Sequence, residues 1–292
     1  MPTAETVTAM PTGCMRARAL ALLSLGRRAL APLLAAVLAL VLVPVLAAPA
    51  AAETRASRVV EVIDGDTLRI DPPLGDVDQV RLAGIQGVKP PLDRPADRPW
   101  PLALQANQAL TELAQGEAIR LAEADRRVDR YGRLLAQVYL ANGRWLQGEL
   151  LRAGLARVAT SLDSRAQARE MLAIEAEARA ARRGLWASPV YAIASPTTVR
   201  DRIGSFAVVE GNVIAARRVK DRVYLNFGQD WRDDFTVTIT TRALPLFAEA
   251  GLDPLALGGQ RIRVRGWVET YNGPALEATH PEQIEMLGAA AR

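Results

Sequence analysis

The sequence is almost without cysteine and histidine, with one of each in 292 residues. Cys14 precedes a long apolar run and His280 lies near the opposite end. No disulfide can therefore close within the chain, and no metal site built from several cysteines or histidines can form. His280, beside Pro281, reads as structural rather than catalytic. Aromatic residues are sparse at 5%, so few side chains are available to stack on bases or sugars. Surplus charge is also missing. The formal net charge is +4, but residues 1–52 hold four arginines against the single acid Glu5. The chain from Glu53 onward has 32 basic and 31 acidic residues. Overall charge gives no argument for a polyanionic partner; only a local cluster can.

Apolar residues are abundant, half of the total. Arg16, Arg18, Arg27 and Arg28 lead into an apolar run from Ala29 to Ala48, broken by Pro32 and Pro44 and followed by "AAPAAAE". A basic flank, an apolar stretch and a small-residue cleavage site predict a secretory signal peptide over 1–52, cut after Ala52. Initiation at Met15 would suit such a leader better. A retained membrane anchor is the alternative. The first reading predicts a periplasmic or secreted protein without Cys14 and with no membrane attachment.

Beyond the leader the pattern turns strand-like. Val59, Val60, Val62 and Ile63 run to Asp64-Gly65-Asp66, and Thr67 to Ile70 returns, a hairpin signal. Val80 to Ile85 predicts another strand. Residues 86–101 carry five of the 18 prolines and predict irregular structure. Helices are predicted over Leu102–Ala114, over Leu146–Ala153 ended by Gly154, and from a Ser164 cap to Arg183 ended by Gly184. Strands are predicted near Ala118–Ala122 and Leu134–Leu140. Trp100, Trp145 and Trp186 read as packing anchors. Residues 189–204 read as a linker inside a non-periodic stretch that begins at Ala187.

The remainder, 205–288, predicts five strands with a helix near Leu244–Ala250 between the third and fourth. That is the order of an oligonucleotide/oligosaccharide-binding (OB) barrel. Gly211 and Gly266 fall where the strands of a small barrel bend. Tyr224, Phe227, Trp231, Phe235, Trp267 and Tyr271 lie among Arg217, Arg218, Lys220 and Arg222, a mixture that can bind single strands. Alternation puts Arg261, Arg263 and Arg265 on one face as a solvated stripe, with Ile262 and Val264 facing inward.

Five pieces of the region from Ser57 to Ser188 occur in an order that resembles the thermonuclease (staphylococcal nuclease-like) family. They are "VIDGDTLRI", "VRLAGI", "DRYGRLLAQVY", "LLRAGLARV" and the helix running into "RRGLW". The resemblance implies an α+β chain, mainly β. Residues 57–188 would form a five-stranded OB barrel with three helices, followed by a second OB barrel. It also implies a nuclease site that uses calcium. On that resemblance Asp66 matches a calcium ligand, with Asp64 a neighbouring carboxylate. Arg81 and Arg133 match the phosphate clamp, a role that suits a guanidinium fork. Tyr131 matches a residue beside the bound nucleotide, and Thr67 the hydroxyl next to the metal.

The rest of the family pattern is altered. Gln86 stands where a second calcium-binding aspartate belongs, and Lys89 where the catalytic glutamate belongs. Two carboxylates, two arginines and Lys89 make a set of charge +1 before any metal binds. An ammonium ~4 Å from a divalent cation would oppose it by roughly 8 kcal/mol at an effective dielectric of ~20. Asp93 or Asp97, further along the proline-rich stretch, would have to turn inward to replace the lost acids. Lys89 as a base and Lys89 as a solvated bystander are both open.

These residues predict an exported protein that binds the phosphodiester backbone of nucleic acid, single-stranded DNA or RNA, through an impaired nuclease site with no cofactor. The alternatives are an active calcium-dependent nuclease with a rearranged site, and an envelope interaction module that touches no nucleic acid. Oligomeric state is not legible.

Overall fold

The computed structural model describes residues 54–88, 100–230 and 232–289. The predicted leader, Lys89, Asp93, Asp97 and Trp231 lie outside them. The first part contains strands β1 (Thr54–Asp64), β2 (Thr67–Leu74), β3 (Val77–Leu82) and β4 (Ile85–Gly87), then helix α1 (Ala103–Ala114). It continues with β5 (Ala118–Val128), β6 (Leu134–Leu140), α2 (Leu146–Ala153), β7 (Ala156–Val158) and α3 (Ala168–Ala180). Strands close into a barrel in the order β1-β2-β3-β6-β5. The barrel closes because β3 and β6 run parallel while the other neighbours are antiparallel.

Alternation decides which side chains fill this barrel. In β6, Leu134, Ala136, Val138 and Leu140 are buried, and Leu68, Ile70, Val80, Leu82, Ile119 and Leu121 meet them from neighbouring strands. Helix α2 ends at Gly154, which takes a left-handed φ of 69°. There the chain crosses the end of α3 so closely that a Cβ on Gly154 would sit 2.2 Å from the Arg183 carbonyl oxygen. Only glycine fits such a crossing.

The expected cap at Ser164 is displaced. Ser161 and Ser164 cap a short 3₁₀ turn, Leu162–Ser164, and α3 begins four residues later at Ala168. Residues 189–204 are not a bare linker either. Two 3₁₀ turns, Pro189–Tyr191 and Val199–Arg202, pack down with Tyr191 and Val199 buried. The Tyr191 hydroxyl donates to the Pro101 carbonyl at 2.7 Å.

The second part holds β8 (Phe206–Asn212), β9 (Ala215–Val219), β10 (Arg222–Asn226), β11 (Thr236–Thr240), α4 (Leu244–Glu249), β12 (Gln260–Trp267), β13 (Glu269–Thr270), β14 (Pro274–Glu277) and β15 (Ile284–Ala289). Three of the five expected strands are broken, the first into β8 and β9, the fourth into β12 and the two-residue β13, and the fifth into β14 and β15. Joined across those breaks, the pairings β9-β10, β10-β11, β11-β14, β15-β12 and β12-β8 repeat the order of the first barrel, again with one parallel pair. The pieces form a five-stranded and a three-stranded sheet rather than one closed ring. Gly211 leaves room for Pro196, whose ring would lie 2.4 Å from a Cβ there.

The arginine stripe on β12 differs most from expectation. Arg265 is 1% exposed, and its Nη1 lies 2.9 Å from the fully buried carboxylate of Glu175 on α3. Glu285 of β15 accepts from Arg265, Arg263 and Arg179. Arg165 reaches Glu282 at 3.1 Å. Arg263 and Arg265 therefore turn away from water, Arg265 into the first barrel, while Arg261, 55% exposed beside Glu210, stays solvated as expected. His280 is likewise buried between Thr160 and Thr279 (2.8 and 3.0 Å), and burial pushes its pKa down to about 4. Phe227 and Phe235 belong to the second core, with ring centroids 5.0 Å apart, so they cannot be a stacking platform. Among the described residues no helix is long and apolar enough to cross a membrane.

Candidate functional site

The β1–β2 turn builds the first side of the site. Asp64 Oδ1 accepts the Asp66 backbone N–H at 2.9 Å, which holds the tight turn and lets Thr67 begin β2 opposite Arg81 of β3. Asp66 is fully buried. Its Oδ2 accepts the Gly87 N–H at 2.7 Å and lies 3.2 Å from Arg81 Nη2, while Oδ1 accepts the Thr67 hydroxyl at 3.2 Å. The turn and β4 touch backbone to backbone, because a Cβ on Gly87 would lie 2.4 Å from the Gly65 oxygen.

Arg81 is anchored by its own loop. Nη1 donates to the Leu82 carbonyl and Nη2 to the Ile85 carbonyl, both at 2.8 Å, with Gln86 Oε1 at 3.4 Å. Of the five N–H donors of a guanidinium, the Nε–H and one Nη1–H have no partner among the described residues. Arg133 is held from the other side. Its Nε and Nη2 lie 2.9 and 2.7 Å from Asp129 Oδ2, and Nη1 donates to Thr67 Oγ1 at 3.2 Å. Thr67 thus joins the two clamps, with its hydroxyl between Arg133 and Asp66.

Asp129 organises the Tyr131–Arg133 turn, since its Oδ1 accepts the backbone N–H groups of both residues. Burial alone would raise its carboxyl. The Arg133 guanidinium and the two backbone N–H groups outweigh burial and hold its pKa below the usual value. Tyr131 is 57% exposed, with Arg130 and Arg133 over its ring at 4.9 and 5.2 Å.

Arg81, Gln86, Tyr131 and Arg133 all line one cleft of about 740 Å³. Phe206 and Trp267 from the second part line it too, together with Arg157, Tyr191 and Arg202. Glu269 is the one carboxylate among its described lining residues. The expected set is therefore brought together as far as it is described, with Asp64 and Asp66 behind the wall.

The set suits calcium poorly. That ion takes six to eight oxygen ligands, whereas the Asp66 oxygens already accept from an N–H, a hydroxyl and a guanidinium. Among the described residues no three acidic, histidine or cysteine side chains converge.

Sequence reasoning did not single out Asp129, Arg157, Arg202 or Phe206. Asp129 was open to detection, as an aspartate two residues before a tyrosine-glycine turn is a ready acceptor for the N–H groups of that turn. The other three carry no local signal.

A five-stranded OB barrel carrying an Asp-Gly-Asp turn, an arginine on its third strand and a Tyr-Gly-Arg turn at one cleft defines a thermonuclease-like protein. Residues 79–188 match the family described as staphylococcal nuclease homologue. Protein ParB of Escherichia coli is 35% identical over 171 residues, 56% of this chain and 88% of ParB. The SPbeta prophage-derived endonuclease YokF of Bacillus subtilis (strain 168) is 39% identical over 99 residues, 33% of this chain and 32% of YokF. A 38.1 kDa protein of Capnoides sempervirens is 36% identical over 110 residues, 38% of this chain and 28% of that protein. This chain spans about a third or less of the last two. It belongs to the staphylococcal nuclease homologue family. The matched segment starts after the Asp64–Asp66 turn and contains Arg81, Gln86, Lys89, Tyr131 and Arg133.

Proposed function

We propose that this protein binds the phosphodiester backbone of nucleic acid at the Arg81–Arg133 cleft, and that its nuclease site is impaired. The observation that carries this reading is the commitment of Asp66 to Arg81, Gly87 and Thr67, with Gln86 beside Arg81 in place of an acid. A cation is disfavoured where the nearest acceptor already holds a guanidinium. A phosphate is favoured where the remaining N–H donors of two fixed guanidinium groups face a shared cleft. Asp66 and Asp129 here act on the arginines, orienting them without contacting the ligand. The protein requires no cofactor for binding and acts after export, with residues 1–52 removed.

A second reading, an active phosphodiesterase, draws support from the similarity to a protein named an endonuclease and from the retention of both arginines. Cleavage of single-stranded DNA, followed across a calcium titration with a chelator control, separates the two. Binding without calcium-stimulated cleavage is expected. Cleavage that chelation abolishes and Asp66→Ala removes would establish the second reading. Absence of binding at low salt would leave the envelope module.

A further inference from the structure

The cleft also takes in residues beyond the family site, and among them is a cation with no hydrogen-bonding or ion-pair partner among the described residues. Arg157 stands directly opposite Gln86 in the β4–β7 ladder, which makes it a neighbour of the Arg81 loop, about 5 Å away across the strands. Its guanidinium lies over the rings of Tyr191 and Phe206, at 5.7 and 5.1 Å. Among the described residues it makes no hydrogen bond or ion pair. The contrast with its surroundings is informative. Arg165, Arg179, Arg263 and Arg265, in the contact between the two parts, each have a carboxylate within 3.3 Å. Glu175, near Arg157, is already taken up by Arg265, Arg179 and the Val158 N–H. Burial lowers the Arg157 pKa to about 10, and Glu175 opposes that drop, so the group stays charged at neutral pH. A half-buried, ring-stacked and unpaired cation costs free energy that a bound anion would offset.

Two further residues make the place a site. Arg202 is held by a 2.6 Å bond from Nη1 to the Val190 carbonyl and lines the same cleft. Trp267, at the end of β12, is 58% exposed and also lines the cleft. The volume is in the range that buries a single small ligand and is too small for a duplex.

We propose that Arg157, with Arg202, binds a second phosphate of a single nucleic-acid strand whose first phosphate sits at Arg81 and Arg133, and that Trp267 stacks on a base between or beside them. The second domain is on this account part of the binding site. The proposal rests on the phosphate-binding reading of the Arg81–Arg133 site.

The test measures binding of a labelled single-stranded oligothymidylate and of thymidine 5′-monophosphate to the purified protein over a range of salt. Arg157→Met keeps the stem over the rings and removes the charge. It should weaken oligonucleotide binding about tenfold at low salt and flatten the slope of log K against log salt by about 0.7, the value for one phosphate contact on a single strand. Monophosphate binding should stay within twofold. Trp267→Ala, at an exposed position with little bearing on folding, should weaken the oligonucleotide by about tenfold, as loss of one stacked base does, and spare the monophosphate. Unchanged oligonucleotide affinity in either folded variant overturns the second subsite while leaving the first intact. A wild-type protein that binds neither probe overturns both.

Discussion

Replacing Arg265 with methionine tests whether the arginine stripe on β12 is a structural joint. The wild-type side chain donates to both Glu175 oxygens at 2.9 and 3.0 Å, to the Val158 carbonyl at 3.2 Å, and to Glu285. Breaking a buried ion pair from one side costs about 3–5 kcal/mol when the remaining charge is stranded. Here the partners are not wholly stranded. Glu175 keeps the Val158 N–H at 2.6 Å and Arg179 at 3.0 Å, and Glu285 keeps Arg263 at 2.9 Å. Arg265 Nε–H has no partner to lose, and methionine fills most of the volume. The lower end, about 3 kcal/mol, is therefore expected. In a chain of this size that lowers Tm by about 6–12 °C.

The pH dependence gives the reasoning a second handle. Burial raises the Glu285 carboxyl, but Arg265, Arg263 and Arg179 together hold it below its ordinary value. A depressed carboxyl contributes stability that is present above about pH 4.5 and is lost as pH falls through the folded pKa. Removing Arg265 cancels part of that contribution, so wild type and variant should converge in acid. Thermal unfolding at pH 7 and near pH 4 measures both effects. Glu175→Gln added to Arg265→Met removes the excess negative charge and keeps an acceptor for the Val158 N–H, so it should recover part of the loss. A Tm within 1 °C of wild type, or a deficit that is the same at both pH values and in the double variant, would refute the assignment.

The remaining predictions address His280, Gly87 and the altered acidic positions. The His280 pKa falls from 6.5 to about 4 on folding. Stability should therefore drop by on the order of 3 kcal/mol between those pH values, and His280→Gln should flatten that part of a pH–denaturation profile. Gly87→Ala forces a Cβ onto the Gly65 carbonyl and strains the Asp66 bond. It should cost about 1–3 kcal/mol in denaturant unfolding, and a neutral result would contradict the close approach. Gln86→Asp with Lys89→Glu should confer calcium binding measurable by calorimetry, whereas Gln86→Asp alone should pair with Arg81 and gain little. A folded double variant without calcium affinity would mean that more than these two residues separates this site from a metal site.

What the sequence made legible was local. Gly154 and Gly184 mark helix ends by their own conformational freedom, and α2 runs over Leu146–Ala153 as its pattern predicts. The Asp-Gly-Asp turn is signalled by its own residues, Asp64 accepting the Asp66 N–H. Arg263 and Arg265 show the limit. Their shared face follows from alternation, but whether that face meets water or Glu175, 90 residues away, depends on tertiary docking. Phe235 and Trp267 occupy similar strand patterns, yet one is 1% exposed and the other 58%. Arg157 was hidden because its rings, Tyr191 and Phe206, come from a segment that reads as a linker and from the second domain.

The near-neutral chain and the basic cleft have one explanation in how the acids are distributed. Glu175, Glu282 and Glu285 are occupied by arginines in the contact between the two parts, and Glu210 by Arg261 and Arg263. In the cleft, Asp66 and Asp129 lie behind Arg81 and Arg133, while Arg157 has no acid bound to it among the described residues. Sorting of this kind makes a positive site without a positive protein, and it fixes how binding responds to salt. If one phosphate sits at Arg81 and Arg133 and a second at Arg157 and Arg202, two contacts set the slope. Log K against log salt should then fall with a slope of about −1.4 for a single strand. A protein that held nucleic acid by diffuse charge would have a slope that steepened with oligonucleotide length. This one should reach its full slope once the strand spans the cleft and keep it for longer strands. A slope of about −4 or steeper would need about six contacts, more than these two subsites supply, and would remove the two-phosphate cleft from the account of binding.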